Sequence, residues 1–163
     1  MINEIESAKL TLAQAQSKFS LNSQEEIPWL VWLLENPQSW VALPGAISLF
    51  NHDCLHLLLG KTMTASDEAF VIGFTMGSDP EIKLWQIKLF KFFTRHLYPK
   101  NYRFLEPHWE YYERGLKYGK TFSVQFNTID FSLYQNCSVE SLRQQFGIDI
   151  EDKHLRSIQG ADE

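Results

Sequence analysis

Apolar residues in this chain recur at helical rather than alternating spacing, in blocks cut apart by proline, glycine and short polar runs. After Pro44-Gly45, the run Ala46, Ile47, Leu49, Phe50, Leu55, Leu57, Leu58 and Leu59 suits a buried helix with Gly60 as its stop. Thr64-Ala65-Ser66-Asp67-Glu68 reads as an N-cap followed by acidic first-turn residues, which complement the helix dipole. It opens a second helix through Ala69, Phe70, Val71, Ile72 and Phe74. The link between the two is short, so they are predicted to pack as an antiparallel hairpin.

Gly77-Ser78-Asp79-Pro80 then reads as a break and a new start, with Asp79 capping and Pro80 in the first turn. The helix it starts, Glu81 to Leu97, is the longest predicted. Ile82, Leu84, Trp85, Ile87, Leu89, Phe90, Phe92, Phe93 and Leu97 cover a wide face, and Lys83, Lys88, Lys91 and Arg95 take the remaining arc. A central core helix with a solvated basic edge is the favoured reading. The second is a wall for a lipid tail whose basic edge meets anionic head groups. His96 near its end suits the dipole and is read as structural, and Tyr98 to Asn101 closes it.

Glu106-Pro107 opens another helix, running through Tyr111, Tyr112 and Leu116 to Tyr118. Gly115 and Gly119 lie on one strip of it. A mid-helix glycine costs about 1 kcal/mol relative to alanine, so a close approach should compensate. Phe122 to Phe131 is either a continuation of that helix or a loop. Ser138 starts a short amphipathic helix bearing Val139, Leu142 and Phe146, and Gly147 ends it.

At the ends, Met1 to Leu21 reads as a short amphipathic helix or a loosely docked arm, and Ser20 to Glu26 as a polar linker. Ile27 to Leu34, with two tryptophans and Pro28 in the first turn, is a core helix ending near Asn36-Pro37. Gln38 to Leu43 adds one further turn. The expectation is one compact all-α domain: residues 1–26 an arm and linker, 27–150 the helical body, 151–163 a polar, frayed tail.

Charged side chains interrupt this pattern at one place. His52 and His56 are one turn apart on one face of the first helix of the hairpin, and Asp53 sits on its flank. Glu68 lies in the first turn of the second helix, which the hairpin brings back toward the histidines. Buried ionisable groups are costly unless paired or metal-bound. Two imidazoles and two carboxylates suit a divalent metal without a thiolate: zinc first, with iron, manganese and magnesium as alternatives. An ion with an open position binds a hydroxyl or carbonyl oxygen, or activates water. The plainer alternative is a pair of surface or core histidines. His108 and Glu110 are further candidates by type, but no spacing requires them, and Cys54 should point away from the histidine face.

The pattern His52-Asp53-x-x-His56, then eleven residues, then Glu68, resembles the metal motif of a ubiquinone (coenzyme Q) biosynthesis family, the fourth Coq protein. The flanks Leu58-x-Gly60 and Glu68-x-x-Val71-x-Gly73-Phe74 are similar, as are Gly115 to Gly119 and Ser138 to Ile148. The resemblance extends over Leu43 to Ile148, with this chain as a short and divergent member. It implies an all-helical fold and His52, Asp53, His56 and Glu68 as the metal ligands. It also implies a long-tailed, prenylated quinone precursor as ligand, and replacement of the head-group carboxyl at ring carbon one. Members are also described as organisers of a complex of biosynthetic enzymes.

Composition narrows the function classes. A chain of 163 residues buries about 70% of its unfolded surface, enough for a true core. Twelve Phe, six Tyr and five Trp readily line an apolar groove beside the metal site. A net charge of -5 argues against a general nucleic-acid binder. Cys54 and Cys137, with no CxxC, read as free thiols in a reducing compartment. No signal peptide and no membrane-spanning run is read, which points to a cytoplasmic protein or one peripheral on the inner face of a membrane.

The leading expectation is thus a metal-dependent enzyme acting on the head group of a quinone-type lipid, by decarboxylation or hydroxylation. A non-catalytic lipid-binding scaffold is the alternative. An HD-type phosphohydrolase ranks last, because no histidine precedes His52 to supply that class's earlier ligand.

Overall fold

Serine, threonine and glycine mark several of the helix ends in the computed structural model, which describes residues 8–20, 47–98, 103–152 and 155. The helices predicted at Ile27 to Leu34 and Gln38 to Leu43 and most of the tail lie outside these residues, whereas the helix expected to start after Pro44-Gly45 begins only at Leu49, because Ser48 caps it from extended backbone and leaves Ile47 outside. Six α-helices and no strand occur among the described residues: α1 (Leu12–Ser20), α2 (Leu49–Leu59), α3 (Ala65–Gly77), α4 (Leu84–His96), α5 (Glu106–Gly119) and α6 (Val139–Phe146). Ser48, Thr64 and Ser138 cap α2, α3 and α6, each side-chain oxygen accepting from the backbone N–H three residues on. Gly60 and Gly147 end α2 and α6 in the left-handed region, at φ 64° and 72°.

The crossing of α3 and α5 dominates the packing. Gly73 and Gly77 on α3 face Gly115 and Gly119 on α5, and each is a place where no Cβ fits. A Cβ built on Gly73 falls 2.2 Å from the carbonyl oxygen of Tyr112, and one on Gly115 falls 2.1 Å from that of Phe70. The approach is therefore backbone on backbone, which offsets the low helix propensity of all four glycines. Gly77, read from the sequence as a break, is the last residue of α3 and is buried against Leu116.

Two apolar clusters lie on either side of this pair. One gathers Leu12 and Ala15 from α1, Leu55 and Leu58 from α2, Phe70 and Phe74 from α3, Val139 and Leu142 from α6, and Phe126 and Phe131. The other joins Ala69 and Met76 on α3 to Ile87 and Phe90 on α4 and to Tyr112 and Leu116 on α5, with the rings of Phe90 and Tyr112 stacked. Phe122 to Phe131 is loop with a 3-10 turn at Phe126–Thr128, followed by a second turn at Phe131–Tyr134. Leu155, placed in the frayed tail by sequence, is buried, and its carbonyl accepts from Lys61 at 2.9 Å.

α4 differs from its expectation in two ways. It starts at Leu84 rather than Glu81, because Asp79 turns the chain by accepting from the Glu81 N–H at 2.9 Å instead of capping a helix. It is also a flanking helix, not the central one: Ile87, Phe90 and Thr94 are buried, while Leu84, Trp85 and Phe92 are exposed. Among the described residues no helix is long and apolar enough to cross a membrane.

Alanine tests the crossing. Gly73→Ala or Gly115→Ala gains about 1 kcal/mol of helix propensity but forces the backbones apart, for a net loss of about 2–4 kcal/mol in urea unfolding. Gly147→Ala, with nothing within 4 Å and only its φ of 72° to object, should lose about 1–2 kcal/mol. Equal losses at the three positions would show that the crossing is not the tight contact described.

Candidate metal centre

α2 is held at both ends before its side chains matter. At its start, Asn51 Oδ1 accepts from the Phe131 N–H at 3.1 Å. At its end, the Gly60 N–H reaches the Leu57 carbonyl and the Lys61 N–H reaches the His56 carbonyl at 2.8 Å, the paired bonds of a Schellman motif. The last carbonyls also meet a buried cation. Arg143 on α6 donates to Leu58 O from Nε at 2.8 Å and to Leu57 O from a terminal nitrogen at 3.0 Å, where positive charge suits the helix dipole.

The start of α3 is fixed by a second set of bonds. Asp67 accepts from the N–H and hydroxyl of Thr62 at 2.9 and 2.6 Å, and Lys61 pairs with it at 3.5 Å. Lys61 also lies 4.8 Å over the ring of Phe70. Glu68, the next residue, is thereby aimed at α2.

Three of the four residues singled out by sequence converge. His52 Nε2 lies 3.0 Å from Glu68 Oε2 and 3.0 Å from His56 Nε2, and His56 Nε2 lies 3.3 Å from Glu68 Oε1. Among the described residues they form the one group of three or more His, Cys, Asp or Glu side chains whose ligand atoms gather within 4.8 Å. His56 is fully buried, and the Phe19 ring of α1 sits 5.8 Å from its imidazole. Burial alone would raise the Glu68 carboxyl, but its hydrogen bonds to His52 and His56, together with their charge, hold it well below the usual carboxylate range.

Asp53 lies outside this trio. Burial pushes its carboxyl up, against the pull of His52 and His56 and with added repulsion from Glu68, so it shares their electrostatic neighbourhood. Its Oδ1 is buried without a hydrogen-bond partner among the described residues, and so is His56 Nδ1. Cys54 is fully buried in the apolar cluster, and burial, helped by Asp53, pushes its thiol up to about 12.

The trio fits a cation on donor chemistry. An imidazole nitrogen has one in-plane position, filled by a proton or by a lone pair. His52 Nε2 faces two partners at once, and a single shared ion would serve both. Ligand bonds of about 2.0–2.2 Å in tetrahedral array separate ligand atoms by about 3.4 Å, close to the observed 3.0–3.3 Å. Clefts of about 370 and 380 Å³ open beside Arg143 and Ile148 and beside Asp79 and Phe122. Neither is lined by His52, Asp53, His56 or Glu68, so the apolar groove expected beside them is not one of these two. His108 bonds its own helix start, accepting from the Leu105 N–H at 3.1 Å, and is not part of the trio.

Arg143 and Phe19 were not singled out by sequence, yet both carried a signal. Arg143 lies on the apolar strip of Val139, Leu142 and Phe146, and Phe19 continues the strip of Leu12 and Ala15. No protein-family model matches the chain, and no curated protein or solved structure matches it.

Arg143→Leu leaves the Leu57 and Leu58 carbonyls without this donor, and should lower stability by about 2–4 kcal/mol. Arg143→Lys should recover part of that loss. Thermal melts of the three proteins check the order, and equal melting temperatures would show that Arg143 does not hold α2.

Proposed function

We propose that this chain is a metal-dependent protein of quinone-type lipid biosynthesis. In this reading His52, His56 and Glu68 bind one divalent ion, and Asp53 is the candidate for the fourth position. Zinc is the first choice, since two imidazoles and a carboxylate in a small array suit it, with iron, manganese and magnesium behind it. The observation that carries the reading is the meeting of both Nε2 atoms and the Glu68 carboxylate at 3.0–3.3 Å in a half-buried setting.

The quinone part rests on the resemblance of His52-Asp53-x-x-His56-x11-Glu68 and its flanks to the Coq family named above. The flanking residues have physical work in this fold that accounts for their types. Gly60 ends α2, Gly73 and the pair Gly115 and Gly119 form the close crossing, and Arg143 holds the last turn of α2. A bound ion would polarise a head-group oxygen or lower the pKa of water. The chain itself keeps Glu68 ionised, fixes the two imidazoles by the bonded ends of α2, and covers His56 with Phe19. The ligand is a prenylated or other long-tailed precursor. The reaction, where there is one, is decarboxylation or hydroxylation of its head group, with partner biosynthetic enzymes supplying and removing it.

Elemental analysis with native mass spectrometry of protein from metal-replete cells reports ion and retained lipid together. One divalent ion per chain is expected. His52→Ala or His56→Ala should weaken its binding by more than about a hundredfold with the helical fold kept, and Asp53→Asn should weaken it less, because Asp53 stands outside the trio. A metal-free chain, or one that His56→Ala leaves equally loaded, would defeat the reading. Lipid retained by the loaded protein without turnover would assign it to a scaffold instead of an enzyme.

A further inference from the structure

We propose that the outward face of α4 is a docking surface for an anionic lipid bilayer. Leu84, Trp85 and Phe92 are 66%, 59% and 53% exposed on a helix that is otherwise packed against the core. At about 100° per residue they share one arc with Lys88 and Arg95, opposite the buried Ile87, Phe90 and Thr94. Large apolar side chains set among cations, with a tryptophan, are the composition of a helix that lies in a membrane interface.

Charge selects the occupant. α4 carries Lys88, Lys91 and Arg95, Lys83 precedes it, and no acidic residue falls within it, in a chain whose net charge is -5. Lys91 pairs with Glu113 and Arg95 with Glu106, both on α5. By helical position Lys91 borders the arc and Arg95 shares it, so the cation set among Leu84, Trp85 and Phe92 apart from these two pairs is Lys88. Lipid phosphates complement such a face. A two-fold dimer through the same face would bring two copies of this basic face together, with Lys88 and Lys83 of each copy adding to the like charge. Long lysine stems can also bury their methylenes while the ammonium stays among head groups. The inference goes beyond the metal reading and does not depend on it, since it rests on α4 alone.

Flotation of the full chain with phosphatidylcholine vesicles, with and without phosphatidylglycerol, tests it. Binding is expected only with phosphatidylglycerol, and should fall as salt rises. Lys88→Glu, a swing of two charges on an exposed side chain, should weaken it about thirtyfold. Trp85→Ser with Phe92→Ser should abolish it, with circular dichroism melts reporting that the fold is kept. His56→Ala should float as the parent does, so loss of the metal site and loss of docking are separate results. Equal binding to both vesicle types, or no response to these α4 substitutions, would overturn the proposal. So would a dimer that the same substitutions dissociate, because the face would then belong to a second copy.

Discussion

The rest of the molecule depends on two helices touching through their backbones. Ordinary helix pairs are held 8–10 Å apart by side chains. Here Gly73 and Gly77 meet Gly115 and Gly119 with carbonyl oxygens where Cβ atoms would stand. Such a contact fixes register, because a slip of one residue along either helix would drive a Cβ into a backbone. It also leaves the large side chains of α3 and α5 to project to the two sides of the pair. Phe70 and Phe74 go to one cluster, with Leu12, Leu55 and Phe126, and Tyr112 goes to the other, with Ile87 and Phe90.

That register reaches the candidate metal centre by a short route. Glu68 lies two residues before Phe70, whose carbonyl oxygen is the atom nearest the Gly115 position. The backbone that carries Glu68 is thus set from the crossing. α2 is fixed separately, by Asn51 at one end and by the Schellman bonds and Arg143 at the other. The two histidines and the glutamate therefore meet as parts of two helices, each anchored to the core and joined to each other through Lys61, Thr62 and Asp67, which is how a site keeps its geometry.

Much of this was legible in the sequence, and the failures have physical reasons. Caps are local chemistry, so Thr64, Ser138, Gly60 and Gly147 marked real ends. The Gly115 and Gly119 strip was legible too, because mid-helix glycine is unfavourable without a close neighbour. Its counterpart was missed: Gly77 stands before Ser-Asp-Pro, a run that signals a break, and only the tertiary contact shows what it is for. α4 was misplaced because its apolar residues wrap too far round the helix to report a single buried face. His52, His56 and Glu68 were legible from a one-turn spacing plus a first-turn carboxylate, whereas Asp53, on the flank, stands outside the cluster they form. Arg143 was missed because its role is to serve carbonyls 85 and 86 residues away in sequence.

Protons and a metal ion are the two ways to hold the trio, and the distances weigh between them. With both histidines protonated, two positive rings would present nitrogens 3.0 Å apart. At an effective dielectric constant of about 20 that repulsion is about 5–6 kcal/mol. Glu68 attracts both rings at 3.0 and 3.3 Å, but much of that attraction would be spent on opposing their repulsion. With both rings neutral and protonated at Nε2, each N–H donates to one Glu68 oxygen, and the contact between the two nitrogens is left without an acceptor. A divalent cation between the three atoms would turn each of these contacts into a shared attraction. It would share the electrostatic neighbourhood of Asp53, whose buried Oδ1 has no hydrogen-bond partner among the described residues. An ion there would lower the electrostatic penalty of keeping that carboxylate charged. An ion so placed would account for the close nitrogens and would lie in the electrostatic neighbourhood of the orphaned Asp53 oxygen.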